Sequence, residues 1–258
     1  MKTEEPIIRA VNLVKEYGAG ETLVRAIRGI DLEIQKGEFV VLLGKSGSGK
    51  STLVSLLGGL EQPTRGKVFF DGEDLSLKNE DELADIRLKK IGIVFQHFHL
   101  LESLTAVENV ELPLLIANYP RQQRRPLAIK MLERVGLGHR LANYPSELSG
   151  GEKQRVGIAR ALVTSPKMIF ADEPTGDLDS KTGDMIIDLL MEINQDPEWN
   201  PSILMVTHDV SKLRKGMRIL TMSDGRIIDD RHFLKESDLR IFDEFGTPSE
   251  IIGEEQFG

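Results

Sequence analysis

Phe39-Val40-Val41-Leu42-Leu43 passes without a break into Gly44-Lys45-Ser46-Gly47-Ser48-Gly49-Lys50-Ser51, an apolar run followed by the pattern GxxxxGK[ST]. A strand covered on both faces of a parallel sheet must be apolar throughout. The glycines after it let the backbone curl into a nest of N–H donors. The stretch therefore predicts a strand, a phosphate-holding loop over Gly44, Lys45, Ser46, Gly47, Ser48 and Gly49, and a helix opening near Lys50. That helix start adds free amides and a positive dipole end. Lys50 is placed to meet β- and γ-phosphates, Ser51 to ligate Mg²⁺ through its hydroxyl, and Thr52 to extend the nucleotide contact into the helix.

Outward from this stretch, β-type runs recur at Ile7–Val14, Ile91–Phe95, Met168–Ala171 and Ile203–Val206, mostly separated by helical patterns. That alternation predicts an α/β fold. Met168–Ala171 and Ile203–Val206 are as apolar as Val40–Leu43, and the three read as central strands. Between Ile7 and Phe70, turns at Gly18–Gly20, Lys36–Gly37 and Gly66 indicate an antiparallel β portion. From about Gln96 to Glu147 the pattern becomes helical, around Thr105–Leu115 and Pro126–Val135, with breaks at Pro113, Pro120 and Pro145. The expectation is a P-loop NTPase core with a mostly parallel central sheet, an antiparallel β portion and an inserted α-helical subdomain. It divides into residues 1–95 and 166–230 for the core, 96–165 for the helical part, and an acidic tail over 231–258 that forms a short helix and a loose end.

The 258 residues carry 33 Lys and Arg against 41 Asp and Glu, a formal net charge of −8. A broad nucleic-acid-binding face needs clustered cations, so no nucleic-acid partner is expected. Without cysteine, neither a disulfide nor a thiolate site can form. The first residues lack the basic and apolar regions of a secretory signal, and no apolar run approaches the roughly 20 residues of a spanning helix. Any membrane span is expected from another chain.

A phosphate loop needs an acid at the end of a neighbouring strand to hold the Mg²⁺ shell. Met168-Ile169-Phe170-Ala171-Asp172 supplies Asp172, and Glu173 directly after it is the candidate general base for an attacking water. Such acids also cap turns, but behind a phosphate loop the metal-and-base reading is the stronger.

Leu148-Ser149-Gly150-Gly151-Glu152-Lys153-Gln154 then narrows the field, because it resembles the signature of ABC ATPases. An ordinary serine N-cap accounts for Ser149 but not for the whole heptapeptide. The resemblance covers roughly Ile7 to Ile228 and implies a homodimer with ATP at the interface. In it, Ser149, Gly150, Gly151 and Glu152 of one cassette close over the nucleotide held by the loop of the other. It further implies that Tyr17 stacks on adenine, that Gln96 touches Mg²⁺ or water, that Asp179 lies across the interface, and that His208 contacts the γ-phosphate. Each of these four side chains alone would be a routine surface or loop residue; their order along the chain gives them weight. Lys45 and Asp177 depart from the commoner proline and asparagine at their positions, and neither change removes a functional side chain.

Phe95-Gln96-His97-Phe98-His99-Leu100-Leu101 and Leu104-Thr105-Ala106-Val107-Glu108-Asn109-Val110 are similar to the lipoprotein-releasing and macrolide-exporter branch. That branch implies a membrane-spanning permease subunit, ATP hydrolysis coupled to export or extraction, and a peripheral place on the cytoplasmic face of the cell membrane. Phe98, Leu100 and Leu101 are a candidate groove for the permease. Arg121, Arg124, Arg125 and Lys130 read as a solvated helix face that also suits anionic lipid. Two rivals stand beside this reading. One is a soluble ABC ATPase of DNA repair or translation, against which the single cassette and acidic balance speak. The other is a regulatory P-loop module without turnover, against which Glu173 and His208 speak.

Overall fold

The computed structural model describes residues 5–233. An antiparallel sheet of four strands holds β1 (Ile8–Tyr17), β2 (Val24–Ile34), β4 (Arg65–Phe70) and β5 (Glu73–Asp74) in the order β2-β1-β4-β5. A sheet of six strands holds β3 (Phe39–Leu43), β6 (Ile91–Val94), β7 (Met168–Asp172), β8 (Ser202–Val206), β9 (Arg218–Ser223) and β10 (Arg226–His232). Their spatial order is β10-β9-β3-β8-β7-β6, parallel from β9 to β6, with the β9–β10 pair antiparallel. The helices are α1 (Lys50–Leu57), α2 (Glu80–Lys90), α3 (Ala106–Ile116), α4 (Arg121–Arg134), α5 (Gly150–Leu162) and α6 (Ser180–Asn194).

Alternation along β3 divides the interior into two cores, because successive side chains leave a strand on opposite faces. Val41 and Leu43 join Ile169, Ile203 and Met205 beneath the helical layer, where Val110, Leu114, Leu132, Ile158 and Ile187 meet them. Val40 and Leu42 join Phe170, Leu204 and Val206 on the other face. There Leu53, Leu56 and Leu57 of α1 fill the space toward Ile8, Leu13, Ile27 and Phe70 of the antiparallel sheet. The phosphate-loop helix is thus packed between the two sheets, and burial of each such Leu contributes roughly 1.5–3 kcal/mol.

Several expected boundaries move. Gly66 lies inside β4 at φ 89, where a Cβ would collide with the Asn12 carbonyl; the β1–β4 register slips between Val11 and Val14, so this glycine serves a bulge and not a turn. Pro113 lies within α3 and does not end it. A proline in a helix interior costs about 3 kcal/mol, and the burial of Val107, Val110 and Leu114 outweighs it. α4 begins at Arg121, after Pro120, five residues before the expected Pro126, which sits within the helix. The acidic tail from residue 234 onward, with its expected short helix, lies outside the described residues.

Candidate functional site

The strand order explains how distant segments meet. β8 lies between β3 and β7, so the loop after β3, the carboxylates at the end of β7 and the histidine beyond β8 gather at one carboxyl edge of the sheet. There the residues Gly44–Gly47 and Gly49–Thr52, with Gln96, Asp172, Glu173 and His208, line one open cleft of ≈ 1230 Å³.

The loop geometry suits a polyanion. Gly49 stands at the N-cap of α1 at φ 103, with no side-chain cap and no acidic residue in the first turn. The first amides of the helix are therefore not claimed by a capping side chain. Lys50 Nζ donates to the carbonyls of Gly44 at 2.6 Å and Lys45 at 3.0 Å, bracing the loop across its mouth. Ser48 Oγ is buried with no hydrogen-bond partner among the described residues. Uncapped amides, an adjacent ammonium group and an unsatisfied hydroxyl together fit a phosphate chain.

Opposite the loop, Asp172 pairs in register with Val206, and the Glu173 amide donates to the Val206 carbonyl at 3.0 Å. Glu173 turns into the left-handed region at φ 46, rare for a residue with a side chain. Its Oε1 lies 2.8 Å from His208 Nδ1. The charges act on one another. Burial lowers the Lys50 pKa, opposed by Glu173 and then Asp172. Burial raises that of Asp172, helped by its Glu173 neighbour and opposed by Lys50. A metal cation beside Asp172 would reverse its shift, which is what a ligand carboxylate requires.

Other expected residues stand elsewhere. The Tyr17 hydroxyl donates to Glu61 Oε2 at 2.7 Å, and the residue is exposed and does not line the cleft. Ser149 N-caps α5 in a reciprocal box with Glu152: Ser149 Oγ donates to Glu152 Oε2 at 2.8 Å, and the Ser149 amide to the same oxygen at 2.9 Å. Glu152 also meets Arg140 at 2.9 Å, so here it is a structural cap. Asp179 N-caps α6 by accepting from the Thr182 amide at 3.0 Å. Ser149, Gly150, Gly151, Glu152 and Asp179 do not line the phosphate-loop cleft. Gly150 and Gly151 instead face Leu178 and Thr182; a Cβ on Gly151 would lie 2.5 Å from Thr182 Cγ2. The apolar trio separates too: Leu100 packs on the helical core while Leu101 is exposed.

The structure adds residues that the motifs left without a role. Leu23–Ala26 and Arg28 of the β2 segment, with Asp224 and Gly225 between β9 and β10, line the same cleft. The Gly225 amide donates to the Ser48 carbonyl at 2.9 Å, fastening the hairpin to the loop. Gln154, fully buried, donates to the carbonyls of Pro174 at 2.6 Å and Phe95 at 3.2 Å. It joins the signature helix to the segments after β6 and β7.

The family described as ABC transporter matches residues 27–176, which runs from the second strand through both the phosphate loop and the signature. The chain belongs to this family. A lipoprotein-releasing system ATP-binding protein of Pseudomonas fluorescens, LolD, is 46% identical over 88% of this chain and 99% of its own length. A macrolide export ATP-binding/permease protein of Paracoccus denitrificans, MacB, is 43% identical over 89% of this chain, which spans only 34% of that longer protein. The solved ATP-binding cassette MJ0796, described as a dimer in a post-hydrolysis state with ADP and Pi, superposes with a TM-score of 0.79 at 42% identity, covering 88% of this chain and 99% of that one. The same cassette is assigned to Methanocaldococcus jannaschii. This ABC cassette is accordingly a nucleotide-binding subunit of the transporter type. Among its described residues no helix is long and apolar enough to cross a membrane.

Proposed function

We propose that this cassette hydrolyses ATP to ADP and phosphate as a homodimer, and that the cycle drives export or extraction of a substrate through a separate permease at the cytoplasmic face of the membrane. One observation carries the dimer. The chain has two helix starts at glycines, the uncapped one of the phosphate loop and the Ser149–Gly151 start that Ser149 and Glu152 cap, yet only the first lines the cleft. A second copy bringing its Ser149 helix over the loop would complete the grip on one triphosphate. The dimeric MJ0796 cassette and the names LolD and MacB support the dimer and the permease.

In this reading Gly44 to Thr52 hold the phosphates, and Lys50 exchanges its carbonyl partners for phosphate oxygens. Mg²⁺, when bound, would be held by Ser51 and Asp172 with Gln96 nearby, neutralising charge on the triphosphate. Glu173 takes a proton from the attacking water as the water oxygen bonds to the γ-phosphorus and the bond from that phosphorus to the β–γ bridging oxygen breaks, releasing ADP and phosphate. His208, which lines the cleft and contacts Glu173, would meet the γ-phosphate. Tyr17 reaches the adenine by turning from Glu61. The unit 96–165 carries the signature, so closure on ATP brings it over the partner's phosphate loop.

Glu173→Gln keeps the shape and removes the base. Turnover is expected to fall by about 10²–10⁴-fold, with ATP affinity retained and a dimer mass appearing on light scattering only when ATP is added. A variant that hydrolyses at the parent rate, or that stays monomeric with saturating ATP, refutes the reading.

A further inference from the structure

Gln96 leaves the end of β6 and enters the cleft, but its amide is not left to rotate. Gln96 Nε2 donates to Asp177 Oδ1 at 3.0 Å, and His97 Nδ1 lies 2.7 Å from Oδ2 of the same carboxylate. One side chain thus clamps two successive residues that lie about 80 positions away in the chain. The turn beneath them is built for that approach. A Cβ on Gly176 would sit 2.8 Å from Gln96 Nε2, so glycine is what lets the amide lie across it. The turn is tied directly to the proposed base: the Gly176 amide donates to the Glu173 carbonyl at 3.0 Å, and the Leu178 amide to Thr175 at 3.1 Å.

An ionised carboxylate accepts and cannot donate, whereas a glutamine amide offers an NH₂ end and a C=O end of nearly equal shape. A partner that only accepts therefore decides which end faces it. With the nitrogen committed to Asp177, the end that remains for the cleft is Oε1, an acceptor with the polarity that a magnesium ion or the hydrogens of water need.

The geometry points to Asp177 as a positioning residue for hydrolysis, fixing the amide of Gln96 so that its oxygen is presented beside Glu173, with His97 holding the carboxylate in place. This rests on the reading of Gln96 as a contact of Mg²⁺ or water. Asp177 touches neither nucleotide nor metal in this account; it acts through Gln96.

Two readouts test it on the full chain. In nucleotide-free, ¹⁵N-labelled protein, the side-chain NH₂ resonances of Gln96 are expected to be dispersed, and to move to the values of a solvated amide in Asp177→Ala. In steady-state hydrolysis Asp177→Ala is expected to lose three- to tenfold in kcat with KM for ATP within twofold. Asp177→Asn, which keeps an acceptor oxygen but adds a donor end, is expected to fall between the parent and Asp177→Ala. Adding Asp177→Ala to Gln96→Ala then costs nothing further. Unmoved Gln96 resonances, additive losses in the double variant, or Asp177→Asn as slow as Asp177→Ala would each overturn the assignment. If Gln96→Ala itself turns over normally, the underlying role of Gln96 fails; if Gln96→Ala is slow and Asp177→Ala is not, only the present inference fails.

Discussion

Substituting Gly49→Ala adds one methyl group at the point where the phosphate loop meets α1. Two costs can be worked from the structure. The residue sits at φ 103, a conformation that a Cβ penalises by roughly 1–2 kcal/mol. The new carbon would lie 2.6 Å from the Ala26 carbonyl oxygen, with Ile27 Cδ1 and Met222 Cε each at 3.3 Å. Backbone of β2 cannot swing aside like a flexible side chain, and overpacking of this kind costs roughly 1–3 kcal/mol. Together the change is worth about 2–5 kcal/mol. At about 2–4 °C per kcal/mol for a chain of this size, the melting temperature should fall by about 4–20 °C. If instead the loop distorts to relieve the clash, the amides lose their alignment and nucleotide binding drops by at least about tenfold, or 1.4 kcal/mol. Calorimetric unfolding and fluorescent-ATP titration of the same preparation cover both outcomes. A variant with the parent's melting point and the parent's affinity would refute the claim that the Ala26 carbonyl and the left-handed turn jointly shape the loop.

Lys50→Met removes the ammonium group but keeps much of the stem. A charge-assisted contact is worth about 1.5–3 kcal/mol, and Lys50 must first give up the Gly44 and Lys45 carbonyls. ATP affinity should therefore weaken about 5–50-fold while the melting temperature stays within a few degrees; isothermal titration checks this. Glu73 accepts from Lys78 and from Lys90, each at 2.7 Å, and these partners, in that order, hold its carboxyl down at about 2. A folded pKa below the unfolded one means stability that is complete above the ordinary carboxylate range and is lost as pH falls toward 2. Glu73→Gln should accordingly lower the urea midpoint at pH 7, and the gap from the parent should narrow by pH 3. Screening at this partly exposed position limits the effect to about 1 kcal/mol or less.

The central strands were legible because Phe39–Leu43, Met168–Ala171 and Ile203–Val206 are covered on both faces and so are apolar without interruption. The phosphate loop was legible because backbone shape, not tertiary context, sets its glycines. β10 is not legible as an apolar run because it alternates exposed and half-buried residues, and β9 because Thr221 interrupts its buried Ile219, Leu220 and Met222. The signal available was Asp224-Gly225, a two-residue hairpin turn between alternating flanks. α2 was hidden by a charged exterior over two buried residues, Leu83 and Ile86, although Asn79 and Glu82 form its capping box. Pro113 misled for the opposite reason: local propensity favours a break there, and packing overrides it. The role of Gln154 is not legible locally, because its partners Phe95 and Pro174 are 59 and 20 residues distant. Tyr17 is positioned here by Glu61, a pairing across 44 residues that no local pattern announces.

The backbone at Glu173 has a consequence for anyone seeking a hardier version of this protein. A chain shaped for durability alone would carry glycine or asparagine there, since either tolerates φ 46 with less conflict. Any screen that ranks substitutions by heat resistance would therefore be drawn to the one position whose carboxylate is the proposed base. If Glu173 is the base, robustness and turnover compete at a single residue, and the sequence keeps the carboxylate.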